Sequence, residues 1–378
     1  MVAEPVAAPP ERTRRAKKWI QGVVSAVLVV AVFAFALPKL ADFSDVWREI
    51  TEMTWLEIAT IVLVGVWNIF TYWLVMMAAL PRSNVWQVSK VNLATTAVSN
   101  TLPAGGALGV AATFGMFSSY GFSNSQISGY VLVSGIWNNF VKLGMPVIAL
   151  ALLAVQGDAS GGLITAAVIG VGVLAAAVVM FVLTLRSDRL ARRIGRGLGT
   201  AFSAFRKLVG KGPVTGWDAA ASRFGRETGE LVRGGWLRLT LVSLVSHLSL
   251  YFVLLLSLRH VGVSDQDVGW AQVLAAFAFI RLVSALPITP GGLGVVELGL
   301  SAALVEAGGP EAPVVAAVLL YRAITYVLPI PLGAVAYLKW RGGSEARRLR
   351  VEAQKQAVAA ATAEPIAGRA EAPVGPPT

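Results

Sequence analysis

The sequence contains no cysteine, which excludes disulfides, thiolate metal sites and cysteine nucleophiles. Charge is nearly as scarce. Asp, Glu, Lys and Arg make up 14% of the 378 residues, against about 25% in soluble domains. The two histidines, His247 and His260, stand in no cluster of carboxylates, so neither a metal nor another cofactor is expected. Nucleotide-binding loops, zinc motifs and catalytic triads are missing as well, and the chain does not read as an enzyme. In their place is hydrocarbon: 56% of residues are hydrophobic, in runs near the ~20 residues that cross a bilayer as helix. The formal charge of +11 would point a soluble protein towards nucleic acid. Here the cations gather in a few loops, and membrane orientation accounts for them without a nucleic-acid partner.

Spans read at 19–37, 55–80, 127–155, 162–185, 236–258 and 312–339. The first exceeds the roughly 7–15-residue apolar core of a cleaved signal peptide and reads as an uncleaved span. Arg12, Arg14, Arg15, Lys17 and Lys18 precede it, so the N-terminal segment 1–18 is expected in the cytoplasm. Loop 186–235 carries eleven cations against four acids and belongs on the same side. Within it, Leu190, Ile194, Leu198, Phe202, Phe205 and Val209 recur at helical spacing among arginines, an amphipathic helix suited to anionic headgroups or to a plain connector. Lys339, Arg341 and Arg347 return the chain to the cytoplasm. The membrane domain therefore runs over 19–342, and 343–378, rich in Ala, Pro and charge, reads as a disordered cytoplasmic tail. The expected location is the cell membrane, multi-pass, with both termini cytoplasmic.

Two glycine-proline breaks interrupt apolar stretches, one in each half. The first is Leu102-Pro103-Ala104-Gly105-Gly106-Ala107-Leu108-Gly109, and the second is Thr289-Pro290-Gly291-Gly292-Leu293-Gly294. Proline removes a helical donor and glycine weakens the helix. Freed backbone groups cannot face lipid, so such breaks belong inside protein or beside a polar cavity. The charge bias makes 86–125 enter and leave on the cytoplasmic side and 268–309 on the outer side. Two broken hairpins of opposite orientation follow: the first, with arms of about 12–15 residues, is too short to span and reads as re-entrant, while the second, with arms of about 17, reads as re-entrant or as a pair of full spans. Paired breaks of this kind point to a transporter's binding site.

Ionisable residues inside spans are costly and default to function. Lys142 shares a helix face with Ser134 and Asn138, Arg281 precedes the second break, Glu297 follows it, and Arg322 lies deep in the last span. Three cations against one acid leave positive charge that an anionic headgroup would balance. The candidate substrate-binding set is Arg281, Arg322, Lys142, Asn138, Gly291, Gly292, Gly105 and Gly106. The glycines would open helix N-termini to phosphate. Glu297, Pro290 and Pro103 are the candidate gating residues, with Glu297 paired to Arg281 or Arg322. Snorkelling to the interface is the rival for Lys142. His247, with Ser243 and Ser246, reads first as an interhelical hydrogen-bonding group and second as a proton relay. Trp55, Trp236 and Trp340 read as interface anchors.

The run Ile288 to Glu297 closely resembles the signature of the lysylphosphatidylglycerol synthase transmembrane-region family. The resemblance extends over most of 15–342, including Asn100 to Pro103 and the stretch from Arg322 to Pro331. It departs at Ala104–Ala107, where many relatives carry an arginine and an acid. It implies movement of lipids or lipid-linked intermediates between leaflets, with any aminoacylating synthase domain expected to be absent. Translocation of an anionic phospholipid or polyprenyl-phosphate-linked lipid is the leading expectation, passive or gradient-coupled, with that anionic membrane lipid as the principal partner. Three other readings stand beside it: a transporter of a small soluble anion, a membrane enzyme acting on lipid headgroups, and a non-transporting partner of envelope-synthesis enzymes.

Overall fold

The computed structural model describes residues 42–102, 105–157, 161–208, 216–284 and 289–343. The basic N-terminus, the span at 19–37, Pro103, the side chain of Pro290 and the tail beyond 343 lie outside the described residues. Every regular element described is helical. In chain order these are α1 Phe43–Glu52, α2 Trp55–Ala79, α3 Val85–Thr101, α4 Gly105–Ser119, α5 Asn124–Gln156, α6 Gly161–Arg186, α7 Asp188–Leu208, α8 Trp217–His260, α9 Trp270–Val283 and α10 Val295–Glu306. The last, α11, runs from Glu311 to Gly343. Five helices are long and apolar enough to cross a membrane: α2, α5, α6, the Gly234–His260 part of α8, and α11. They coincide with the expected spans at 55–80, 127–155, 162–185, 236–258 and 312–339. The protein is a multi-pass helical membrane protein.

Local chemistry sets the helix starts. Thr54 with Glu57, Asn84 with Gln87 and Ser123 with Gln126 form reciprocal capping boxes at α2, α3 and α5. Such a cap contributes about 1 kcal/mol. Inside the bundle, α2 and α8 run antiparallel, with Thr60 Oγ1 2.9 Å from His260 Nε2 near one end. Deeper in, Asn68 Nδ2 donates to the Ser246 carbonyl at 2.9 Å and to Ser249 Oγ at 2.7 Å. Leu254, Phe277, Leu300 and Val318 fill the core where α8, α9, α10 and α11 converge.

Helices α3 and α4 flank the first break and α9 and α10 the second, and the two helix pairs start from opposite ends of the bundle. The first, α3–α4, begins beyond the far end of α2 and returns there, where Trp340 Nε1 donates to Ser119 Oγ at 2.9 Å. The second begins at Trp270, beside His260. It returns to that end, where Gly308 packs against the Asp267 carbonyl. The arms are 17 and 15 residues in the first hairpin, and 14 and 12 in the second. At about 1.5 Å per residue the second pair reaches only about 18–21 Å, shorter than the sequence indicated. Helix α10 begins only at Val295 because Gly291, Gly292 and Gly294 all adopt positive φ.

The described residues of the basic loop 186–235 are helical, in α7 and the first part of α8. Helix α7 turns Ala191, Gly195 and Gly199 inward, a small-residue stripe at four-residue spacing, and packs against α8. Leu190 and Ile194 are half-buried on its flank. A groove of about 980 Å³ separates α5, α6 and α8, walled by Trp137, Phe140, Phe181 and Leu244, with Arg186 at its edge.

Candidate functional site

The tips of the two hairpins meet against a single turn of α11. Pro329 and Pro331 offer no backbone donor, so the helical ladder before them cannot continue. It slips to a π-helical turn over Ala323–Val327, with the Leu328 N–H donating to the Ala323 carbonyl at 2.8 Å. Such turns recur at functional sites. In this turn the Tyr326 hydroxyl donates to the Asn100 carbonyl at 2.6 Å, and Asn100 Nδ2 donates back to the Tyr326 carbonyl at 3.1 Å. The Tyr326 ring also lies against Gly291, where a β-carbon would collide with it. One tyrosine thus touches both breaks.

Glu297 is the only charged residue among the described residues classed as buried. Its Oε1 accepts from Arg322 Nε at 2.6 Å, and its Oε2 accepts from the Gly294 N–H at 2.6 Å. Arg322 Nη2 also donates to the Gly291 carbonyl at 3.2 Å, and its guanidinium sits 4.3 Å from the Tyr326 ring centre. The partner of Glu297 is therefore Arg322, not Arg281. The carboxylate also occupies the N-terminus of α10, where the sequence placed a substrate phosphate. Of the glycines singled out, Gly291 and Gly292 shape this turn. Gly105 packs on the Ser99 carbonyl, and Gly106 has open space beside it.

Lys142 and Arg281 form a second cluster. Their charges act on one another and both act on His247. Neither has an ion-pair partner among the described residues, and Arg281 Nε is buried without a hydrogen bond. Counting along the helices, Arg281 lies 11 residues from Trp270, Arg322 11 from Glu311, His247 13 from His260 and Lys142 14 from Gln156. All four starting points lie at the same end of the bundle. At about 1.5 Å per residue the four side chains lie roughly 16–21 Å from those helix ends.

A cavity of about 300 Å³ adjoins this cluster, lined in part by the polar residues Asn92, Thr113, Asn138, Ser243, Ser246 and His247. Helical spacing puts Ser134, Asn138 and Lys142 on one face of α5, so the cavity wall leads directly to the cation. Ser243 Oγ, Ser246 Oγ and His247 Nε2 are buried and lack partners. The Nδ1 of His247 is 2.9 Å from the Ser243 carbonyl within its own helix. The interhelical bond expected of His247 is not formed among the described residues. A buried polar group left this way costs about 1–3 kcal/mol. Among the described residues no group of three potential metal ligands occurs.

The fold and this buried site are those of a polytopic membrane protein with polar groups gathered at mid-depth. The sequence profile of the family described as "Lysylphosphatidylglycerol synthase TM region" matches residues 20–333, and the chain belongs to that family. Membership places its function with membrane lipids. No curated protein shows significant sequence similarity to the chain.

Proposed function

We propose that this protein moves an anionic phospholipid or polyprenyl-phosphate-linked lipid between the leaflets of the cell membrane. One observation carries the reading: Lys142 and Arg281 lie inside the bundle with no acidic partner among the described residues, beside a cavity lined in part by polar side chains. Uncompensated charge in the membrane is expensive unless a ligand or water meets it. A lipid phosphate meets it directly, with Arg281 favoured for the planar fork that matches phosphate oxygens. The two hairpins supply re-entrant access from opposite leaflets, and the Glu297–Arg322 pair with Tyr326 joins their tips. The sequence has no nucleotide-binding motif, so movement is passive or coupled to a gradient.

The test is leaflet exchange of fluorescent phosphatidylglycerol and phosphatidylcholine in reconstituted vesicles. The anionic lipid should exchange faster, and Lys142→Leu or Arg281→Leu should lower that rate at least tenfold while folded yield is retained. Exchange no faster than in protein-free vesicles, or unchanged in both variants, would exclude the reading.

A further inference from the structure

The cavity beside the free cations has neutral walls, and this limits what can follow the phosphate. We infer that it receives a neutral, hydroxylated headgroup, so that the preferred ligand is a phosphodiester bearing a polyol or sugar. The inference rests on the proposed lipid-handling role of the same site.

Three features support it. First, the unpartnered atoms are Ser243 Oγ, Ser246 Oγ and His247 Nε2. Two of these are hydroxyls that both donate and accept, and the imidazole does either according to its tautomer. Asn92 and Asn138, on the opposite walls, carry both functions as well. Ligand hydroxyls satisfy such a mixed set, because each can donate and accept in turn. An ammonium group only donates and would leave the lining's own donors unmet.

Second, among the described residues the lining contains no acid. Glu297 is the buried carboxylate of the described residues, and both of its oxygens are already engaged. An ethanolamine or lysyl headgroup would bring a cation next to Lys142 and Arg281 with nothing to neutralise it. The chain is thereby set against the lysyl group in its family's description.

Third, the dimensions fit. About 300 Å³ holds on the order of ten water-sized atoms, which is a headgroup and not an acyl chain. Val110, on the wall formed by α4, is exposed.

The experiment uses full-length protein in detergent and compares glycerophosphoinositol, glycerophosphoethanolamine and inorganic phosphate by isothermal titration calorimetry. Glycerophosphoinositol should bind at least tenfold more tightly than glycerophosphoethanolamine. Ser243→Ala/Ser246→Ala should reduce that ratio roughly tenfold, from the loss of two neutral hydrogen bonds. Asn138→Leu, on the opposite wall, provides a second variant should the first not fold. Equal or tighter binding of glycerophosphoethanolamine overturns the inference. So does a ratio that neither variant changes, or no binding at all, which would mark a water-filled void. Tightest binding of inorganic phosphate would overturn it in favour of a soluble anion. Headgroup preference in detergent without lipid exchange in vesicles would remove the transport reading and leave this one. Exchange of anionic lipid regardless of headgroup would do the reverse.

Discussion

Glu297 holds the α10 N-terminus with one oxygen and Arg322 with the other, so its removal strands two donors together. Breaking one side of a buried pair costs about 3–5 kcal/mol, whereas replacing both partners with apolar residues is often far milder. Thermal unfolding should therefore show Arg322→Leu as strongly destabilised and Glu297→Leu/Arg322→Leu as largely recovered. Glu297→Gln should fall between, because it keeps the shape and one acceptor. Equal stability of the single and double variants would show that the pair does not act as a unit. That an interior acid pairs with an interior arginine was legible from residue types alone. Which arginine was not, because Arg281 and Arg322 are equivalent in one dimension and only the fold sets their distances. Tyr326 escaped notice because an aromatic in an apolar span reads as packing. Its signal was the pair Pro329 and Pro331, which withdraws two helical donors just beyond it.

At the scale of elements, the breaks were readable because Pro and Gly act locally. Their depth and partners depend on tertiary contact. Helices α3 and α4 carry Asn92, Thr95, Ser99, Asn100 and Thr113, more polar groups than a lipid-facing arm tolerates. This polarity was the available clue that the first hairpin borders a cavity. The same hairpin yields a topological prediction that a cysteine-free chain makes easy to test. Ser118 is exposed in the last turn of α4, and Gln156 is exposed at the far end of α5. In intact cells, Ser118→Cys should resist an impermeant thiol reagent applied outside, and Gln156→Cys should react. Labelling of Ser118→Cys from outside would invalidate the re-entrant assignment and the cytoplasmic placement of that end. The amphipathic pattern of α7 was also correct as helix. Its packing was hidden, because the buried stripe is made of Ala191, Gly195 and Gly199, residues that hydrophobicity alone does not rank.

Across the whole molecule, packing is unevenly shared. The spans of α8 and α11 each have half of their residues buried, whereas that of α6 has none. Hydrogen exchange in lipid nanodiscs should accordingly be slowest in α8 and α11. Moving the protein into a short-chain detergent should accelerate exchange in α6 far more than in α8. Equal protection of the two helices in both media would contradict this division. Composition alone marked α6 as a span but could not rank it, since an apolar surface looks the same whether its neighbour is leucine or lipid.

Helix α6 thus has no hydrophobic reason to prefer protein over bilayer: van der Waals fit, not exclusion of water, is what remains to hold it. The groove it shares with α5 and α8 makes that fit incomplete. The surrounding lipid is then a structural component of the protein, acting as mortar between one loosely set column and the rest. Membrane thickness and acyl-chain order would set the position of α6. A change of lipid composition would therefore move it without any ligand binding at the buried cations.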